Sequence, residues 1–393
     1  MRSTTKTPDP TIIIIPKQAK PQTDDMRRRK RPRLLTVLLS LLALIAFIHF
    51  IAVIHGTNPV VMPSNCPGLI RTTDYTQVVH LQARSQEMGA VQYISQLVGG
   101  QPAALVQVMN AASQNALDVY VYGCTMQQHN PKLRTLFTQR GLIQGTVTVS
   151  AANTLVTGEL DTTLSPQAST LVQPLQQNVY REYSWQNGKF VQVTYPSLYP
   201  VASRSEAESL QQQANSGQSV PWSDPMTTAE QMAKDIFKWP TTSPQDKVLN
   251  NDGTTARIQL VQQNPQMQVT VTLKRLVQQN KTGLWFVTAA QTSGINLTQP
   301  QPPSVVTSPT NIKGTGALTD GQTTVTLFDH TLTSLSLLNN PALNTDTNGT
   351  YTGMLFYTNS VQNQPGLLLV QSVPPLDGSN KTGQLLLTQV ILG

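Results

Sequence analysis

Charge is scarce in this chain: Asp, Glu, Lys and Arg make up 12% of its 393 residues, about half the usual soluble share of roughly 25%. Glutamate is nearly absent, with 6 Glu against 42 Gln. A charge-rich disordered body is thereby excluded, and the 39% hydrophobic share suffices for packed cores. Only two cysteines occur, too few for a disulfide-dense scaffold or a cysteine zinc cluster. No HExxH and no G-x-S-x-G is found, and no S-x-x-K follows residue 57, so those metalloprotease and serine-hydrolase frameworks are excluded. The length predicts two or three domains.

The formal net charge of +7 is unevenly distributed. Residues 1–33 hold 10 Lys/Arg and 3 Asp/Glu, and the remaining chain holds 17 of each sign. Nucleic-acid binding needs a basic patch on the folded part. That part is neutral, so no nucleic-acid partner is expected.

Residues 34–54, LLTVLLSLLALIAFIHFIAVI, form an apolar run with His49 as its notable polar interruption. As a helix it would reach roughly 31 Å, the hydrocarbon thickness of a bilayer. Arg27, Arg28, Arg29, Lys30, Arg31 and Arg33 stand immediately before it, whereas the next basic residues are Arg71 and Arg84. The positive-inside rule places the N-terminus in the cytoplasm and the bulk outside. The basic cluster suits contact with anionic lipid headgroups. A cleaved signal peptide is the alternative; the apolar run is long for one, and no A-x-A-like site follows. Cys66 and Cys124 both lie beyond the run. In an oxidising exterior they could pair, and two buried free thiols are the alternative.

The outer part divides by pattern. A first α+β module is expected over 57–215. It carries strands at 103–109, 116–122, 145–149 and 154–160 and a short helix at 131–140, where Leu133, Leu136 and Phe137 share a stripe. Segments 180–186 and 189–195 flank Asn187-Gly188, a favoured hairpin turn. In that register Trp185 faces Phe190 and Tyr180 faces Tyr195. Tyr183, Trp185 and Phe190 are a candidate aromatic binding face, or else one side of a packed sheet. Ser203 and Glu206 read as a capping box opening a Gln-rich helix. Residues 215–225 read as a linker. In the second module, 226–297, Thr227 and Glu230 read as a further capping box, with strands at 256–262, 268–277 and 284–291. This helix-plus-meander order, with Trp285-Phe286-Val287 on its closing strand, resembles the NTF2-like class. A Pro-rich spacer at 299–309 precedes short strands and turns, the pattern of a β-sandwich.

In that last region Ser308-Pro309 is followed by Asn311-Ile312-Lys313-Gly314-Thr315-Gly316, the strand TVTLFD at 324–329, and YTGMLFY at 351–357. Pro365-Gly366 leads into LLLVQS, and PPLDGS precedes the final strand at 384–392. This order resembles the Gmad2 family, immunoglobulin-like domains of bacterial spore-germination and envelope proteins. The resemblance covers roughly 304–393. It departs from the family at the early acidic residue, where Asp320 is the nearest, and in the longer stretch at 328–341. It implies a non-enzymatic immunoglobulin-like fold used for binding or spacing.

Candidates for chemistry are sparse. His80, His129 and His330 are isolated, and no metal site or cofactor is expected. Asn344, Asp346, Asn348 and Gly349 read like half a calcium loop, but Leu355 stands where the closing Glu belongs. A hairpin turn is the expectation there. Glu159, Asp161 and Glu182 are the carboxylates that a sugar-cleaving site would draw on. The sequence therefore predicts a single-pass protein of a bacterial cell membrane. Its parts are a cytoplasmic tail (1–33), a spanning helix (34–54), an α+β ectodomain and a C-terminal all-β immunoglobulin-like sandwich (304–393). Its expected role is non-catalytic binding or structure at the envelope, possible partners being cell-wall polysaccharide or an envelope protein, with a link to sporulation. A transmembrane sensor or anti-sigma-like regulator is the alternative, and a cell-wall hydrolase the third.

Overall fold

The computed structural model describes residues 65–82, 85–128, 130–164, 178–239, 243–263, 266–317, 323–336, 343–359, 361–373 and 382–393. The basic cluster at 27–33, the apolar run at 34–54, His129, Asp320 and the PPLDGS stretch lie outside these residues. Among the described residues no helix is long and apolar enough to cross a membrane. The described chain is mostly β-sheet, arranged in several largely antiparallel sheets.

Two short helices open it, α1 (Cys66–Thr72) and α2 (Tyr75–Val78). Asn65 and Asp74 cap them with their side-chain oxygens, satisfying amides that have no partner inside the helix. The first sheet follows: β1 (Gln86–Met88), β2 (Gln92–Tyr93), β3 (Ala103–Asn110), β4 (Ala116–Gln127) and β5 (Asn130–Leu142). The helix expected over 131–140 is thus a strand. Leu133, Leu136 and Phe137 fit a helical stripe, but the segment pairs along most of β4 with two register shifts, and the bulges disturb the two-residue alternation a strand would show. The second sheet is β6 (Thr146–Val149), β7 (Leu155–Leu160), β8 (Asn178–Gln186) and β9 (Lys189–Val193), in that spatial order. Asn187 and Gly188 turn between β8 and β9 with φ of 50° and 79°, and Trp185 pairs with Phe190.

Residues of β3 are buried on both sides. Ala104, Val106 and Val108 pack with Ile70 and Tyr75 beneath the helices. Leu105 packs with Val119, Leu142 and Leu155 between the two sheets.

A second helical layer comprises α3 (Arg204–Asn215) and α4 (Pro225–Asp235). Ser203 caps α3, its hydroxyl accepting from the Glu206 amide and donating to the Glu206 carboxylate. At α4 the cap is Asp224, three residues before the expected Thr227. Asp224 can accept from the Thr227 amide and hydroxyl, and Pro225 tolerates the first helical position. The interval expected as a linker contains a 3-10 turn, Pro221–Ser223, with Trp222 buried. Residues from Tyr195 to Leu210, placed by pattern in the first module, contribute to the core under α4 instead.

These helices cover β11 (Thr255–Gln263), β12 (Gln266–Lys274) and β13 (Phe286–Gln291), while β10 (Lys247–Asn251) pairs with β11 as an exposed edge strand. Beyond come β14 (Asn296–Gln299), β15 (Val305–Val306), β16 (Thr310–Thr315), β17 (Thr323–Phe328), β18 (Asn344–Thr345), β19 (Thr350–Leu355), β20 (Gln364–Ser372) and β21 (Gln384–Leu392). One eight-stranded sheet runs β10-β11-β12-β13-β21-β20-β17, with β15 also on β21. Pairing of Ala290 with Leu387 and Gln291 with Leu386 carries it across the expected module boundary. The opposing sheet is β14-β16-β19-β18. Leu367, Leu369, Leu385 and Leu387 face the helical core, while Leu368, Val370, Leu386 and Val390 face the sandwich core. That double burial explains why β20 and β21 are nearly continuous apolar runs.

Candidate functional site

Cys66 and Cys124 are joined by a disulfide that fastens α1 to β4, their Cα atoms 5.5 Å apart. Tyr183, Trp185 and Phe190 are half-buried and pack with Phe137 against the core between the first two sheets. Their rings meet edge to face at centroid distances of 4.8 to 5.4 Å. This is the wall of a core and not an open platform. Asp346 accepts from the amides of Asn348 and Thr350, and Gly349 has a φ of 78°, so this segment is a hairpin turn. Among the described residues no group of three or more His, Cys, Asp or Glu could hold a metal ion.

The carboxylates Glu159, Asp161 and Glu182 gather at a seam between the second sheet and the later part of the chain. Each faces a basic side chain. Glu159 pairs with Arg181 at 2.6 Å, Glu182 with Arg204 at 2.8 Å, and Asp161 stands 3.7 Å from His330. Arg181 also donates to the Gln362 carbonyl at 2.7 Å, and Glu182 accepts from Thr154 at 2.6 Å. A cavity of about 10 Å³ beside Arg181, Glu182 and Arg204 holds no more than about one water. The seam clamps the second sheet to the loop before β20, and the cavity beside Arg181, Glu182 and Arg204 is too small for a substrate.

Space for a ligand lies elsewhere. A cleft of about 450 Å³ opens where Tyr199-Pro200, the Pro221–Trp222 turn, α4 and Thr331-Leu332 converge, within the usual size range for a small-molecule site. Tyr199 donates to Asp235 Oδ2 at 2.6 Å, and Gln231 donates to Oδ1 at 2.9 Å. Burial, then the neighbouring Asp235, pushes the Tyr199 phenol well above its ordinary range, which keeps it a donor. Lys238 Nζ donates to the Asp235 carbonyl at 2.7 Å, closing the end of α4 where a cation is favoured.

The walls are anchored in the core. Tyr199 meets Trp222 edge to face at 5.2 Å. Tyr199 and Val287 exchange a backbone bridge, and Trp285 N–H donates to the Trp222 carbonyl at 2.8 Å. Thr331 is held through Asp329, which accepts from its amide and hydroxyl. Sequence reasoning missed this cleft because its parts come from three distant segments. One available signal was Trp222, a large apolar side chain inside an apparent linker.

No protein-family model and no curated protein matches the chain.

Proposed function

We propose that the protein is a single-pass, membrane-anchored binding or structural protein. Its tail is cytoplasmic and its folded body stands on the outer side of a bacterial cell membrane. The single observation that carries this reading is the Cys66–Cys124 disulfide. It engages both cysteines of the chain, and it begins 12 residues after the apolar run. Disulfides persist in oxidising compartments and are rare in the cytosol, so the bond agrees in direction with the basic cluster before the run.

The role is non-catalytic. The carboxylates from which a hydrolase would be built are engaged in the seam, and this favours binding over cell-wall cleavage. The C-terminal sandwich is read as an immunoglobulin-like domain of the Gmad2 kind. Support comes from β17, β19, β20 and β21, which fall on the segments that carry the resemblance.

The test uses the full chain in intact cells with a membrane-impermeant maleimide. Labelling is expected only after an impermeant reductant has been added. Labelling without reduction, or only after lysis, would overturn the reading.

A further inference from the structure

We propose that the cleft beside α4 binds a neutral sugar residue, one unit of a polysaccharide. The inference rests on the outer-side reading only for where such a ligand is met; the recognition chemistry is that of the cleft itself.

The first ground is electrostatic. Asp235 and Lys238 both line the cleft. An anion would meet the carboxylate and a cation the ammonium. A wholly apolar ligand would strip water from the hydrogen-bonding positions that Asp235 and Lys238 keep beyond their bonds within the chain, and it would offer no partner in return, which is unfavourable. A polyhydroxylated ring carries donors and acceptors on its rim and C–H groups on its faces. Its hydroxyls can donate to Asp235, whose carboxylate already has one donor on each oxygen and retains lone pairs for more. Its C–H groups can lie on Pro200, Pro221 and Leu332.

The second ground is conformational. Lys238 and Leu332 hold left-handed backbone, with φ of 59° and 64°. Neither is glycine or asparagine, and such a bulky side chain rarely adopts this region. Strain of this kind persists where the surroundings impose it, and it concentrates at functional sites. Here two such residues line one cleft although 94 positions separate them.

The experiment titrates the full chain in lipid nanodiscs with the tetramer of N-acetylglucosamine as a neutral probe and L-alanine as a zwitterionic one. Binding is read by tryptophan fluorescence and calorimetry. Saturable binding of the sugar and none of alanine is expected. Asp235→Asn, which keeps an acceptor for Tyr199, should weaken the sugar at least tenfold. Lys238→Gly should also weaken it at least tenfold while the circular-dichroism spectrum and a cooperative melting transition are retained, a combination that misfolding cannot produce. The proposal is overturned if the sugar does not bind at millimolar concentration, if alanine binds more tightly, or if either variant binds like the parent. Maleimide labelling in cells reports topology independently, so failure of the sugar site and failure of the outer-side reading are distinguishable.

Discussion

Tyr351 lies across Gly314, the residue it pairs with between β19 and β16, and its hydroxyl donates to the Asn296 carbonyl at 2.8 Å. The phenol is fully buried, and burial pushes it up to about 12. A Cβ on Gly314 would stand 2.1 Å from the Asn296 oxygen and 2.2 Å from the Tyr351 ring. The glycine is required by close approach, since no positive φ is involved. Gly314→Ala is therefore expected to destabilise the protein by about 3 kcal/mol, from overpacking together with loss of the hydroxyl bond. Tyr351→Phe should cost about 1 kcal/mol. Urea denaturation of both variants checks the pair of values, and equal small losses would contradict the packing account.

Local signals carried much of the fold. Asn187-Gly188 marked its hairpin, Ser203 marked the start of α3, and the last strand lies at 384–392 as its apolar run predicts. Each depends on residues close in sequence. The strand at β5 was not legible, because its bulged pairing to β4 leaves no clean alternation. The join between β13 and β21 was hidden for a different reason: the partners are 97 residues apart at Ala290 and Leu387, and nothing in either run specifies the other. The candidate site was least legible. Asp235, Tyr199 and Leu332 acquire meaning only when three segments meet, whereas Tyr183, Trp185 and Phe190, which the sequence leaves open between a binding face and one side of a packed sheet, pack on the core between the sheets.

The disulfide closes a long loop, with its cysteines separated by 58 positions. On the chain-entropy account such a link contributes about 4 kcal/mol by restricting the unfolded state. Reduction, or Cys66→Ser with Cys124→Ser, is expected to lower the melting temperature and to release α1 from β4 first. Hydrogen exchange would show this as faster exchange in residues 66–78 than in β20 and β21. Uniform loss of protection across the chain would contradict a local tether.

At the seam, Arg181 is 6% exposed and holds both Glu159 and the Gln362 carbonyl. Arg181→Met leaves a largely buried carboxylate without its cation and is expected to cost about 3 kcal/mol. Adding Glu159→Leu should recover most of that loss, because an apolar pair removes both desolvation penalties together. Denaturation of the two single variants and the double variant forms the cycle that measures the coupling. If the double variant is less stable than either single, the pair is not the unit that acts here.

Glu206 gives the chain a pH dependence of definite sign. It is 2% exposed beneath the first turn of α3, and burial raises its carboxyl to about 8, against the pull of the Ser203 hydrogen bonds in the other direction. In the unfolded chain the same group titrates near 4.3. Between these values the folded state retains a proton that the unfolded state has released, so stability falls as pH rises. The contribution is complete below about pH 4, declines through the interval, and levels off above about pH 8, at about 1.4 kcal/mol for each unit of separation. Glu206→Gln keeps an acceptor for the Ser203 hydroxyl and has no proton to lose. It should therefore be more stable than the parent at pH 8, equal to it near pH 4, and free of this slope between. Melting curves of both proteins from pH 4 to 9 provide the test, and parallel profiles would show that Glu206 ionises in the fold without penalty.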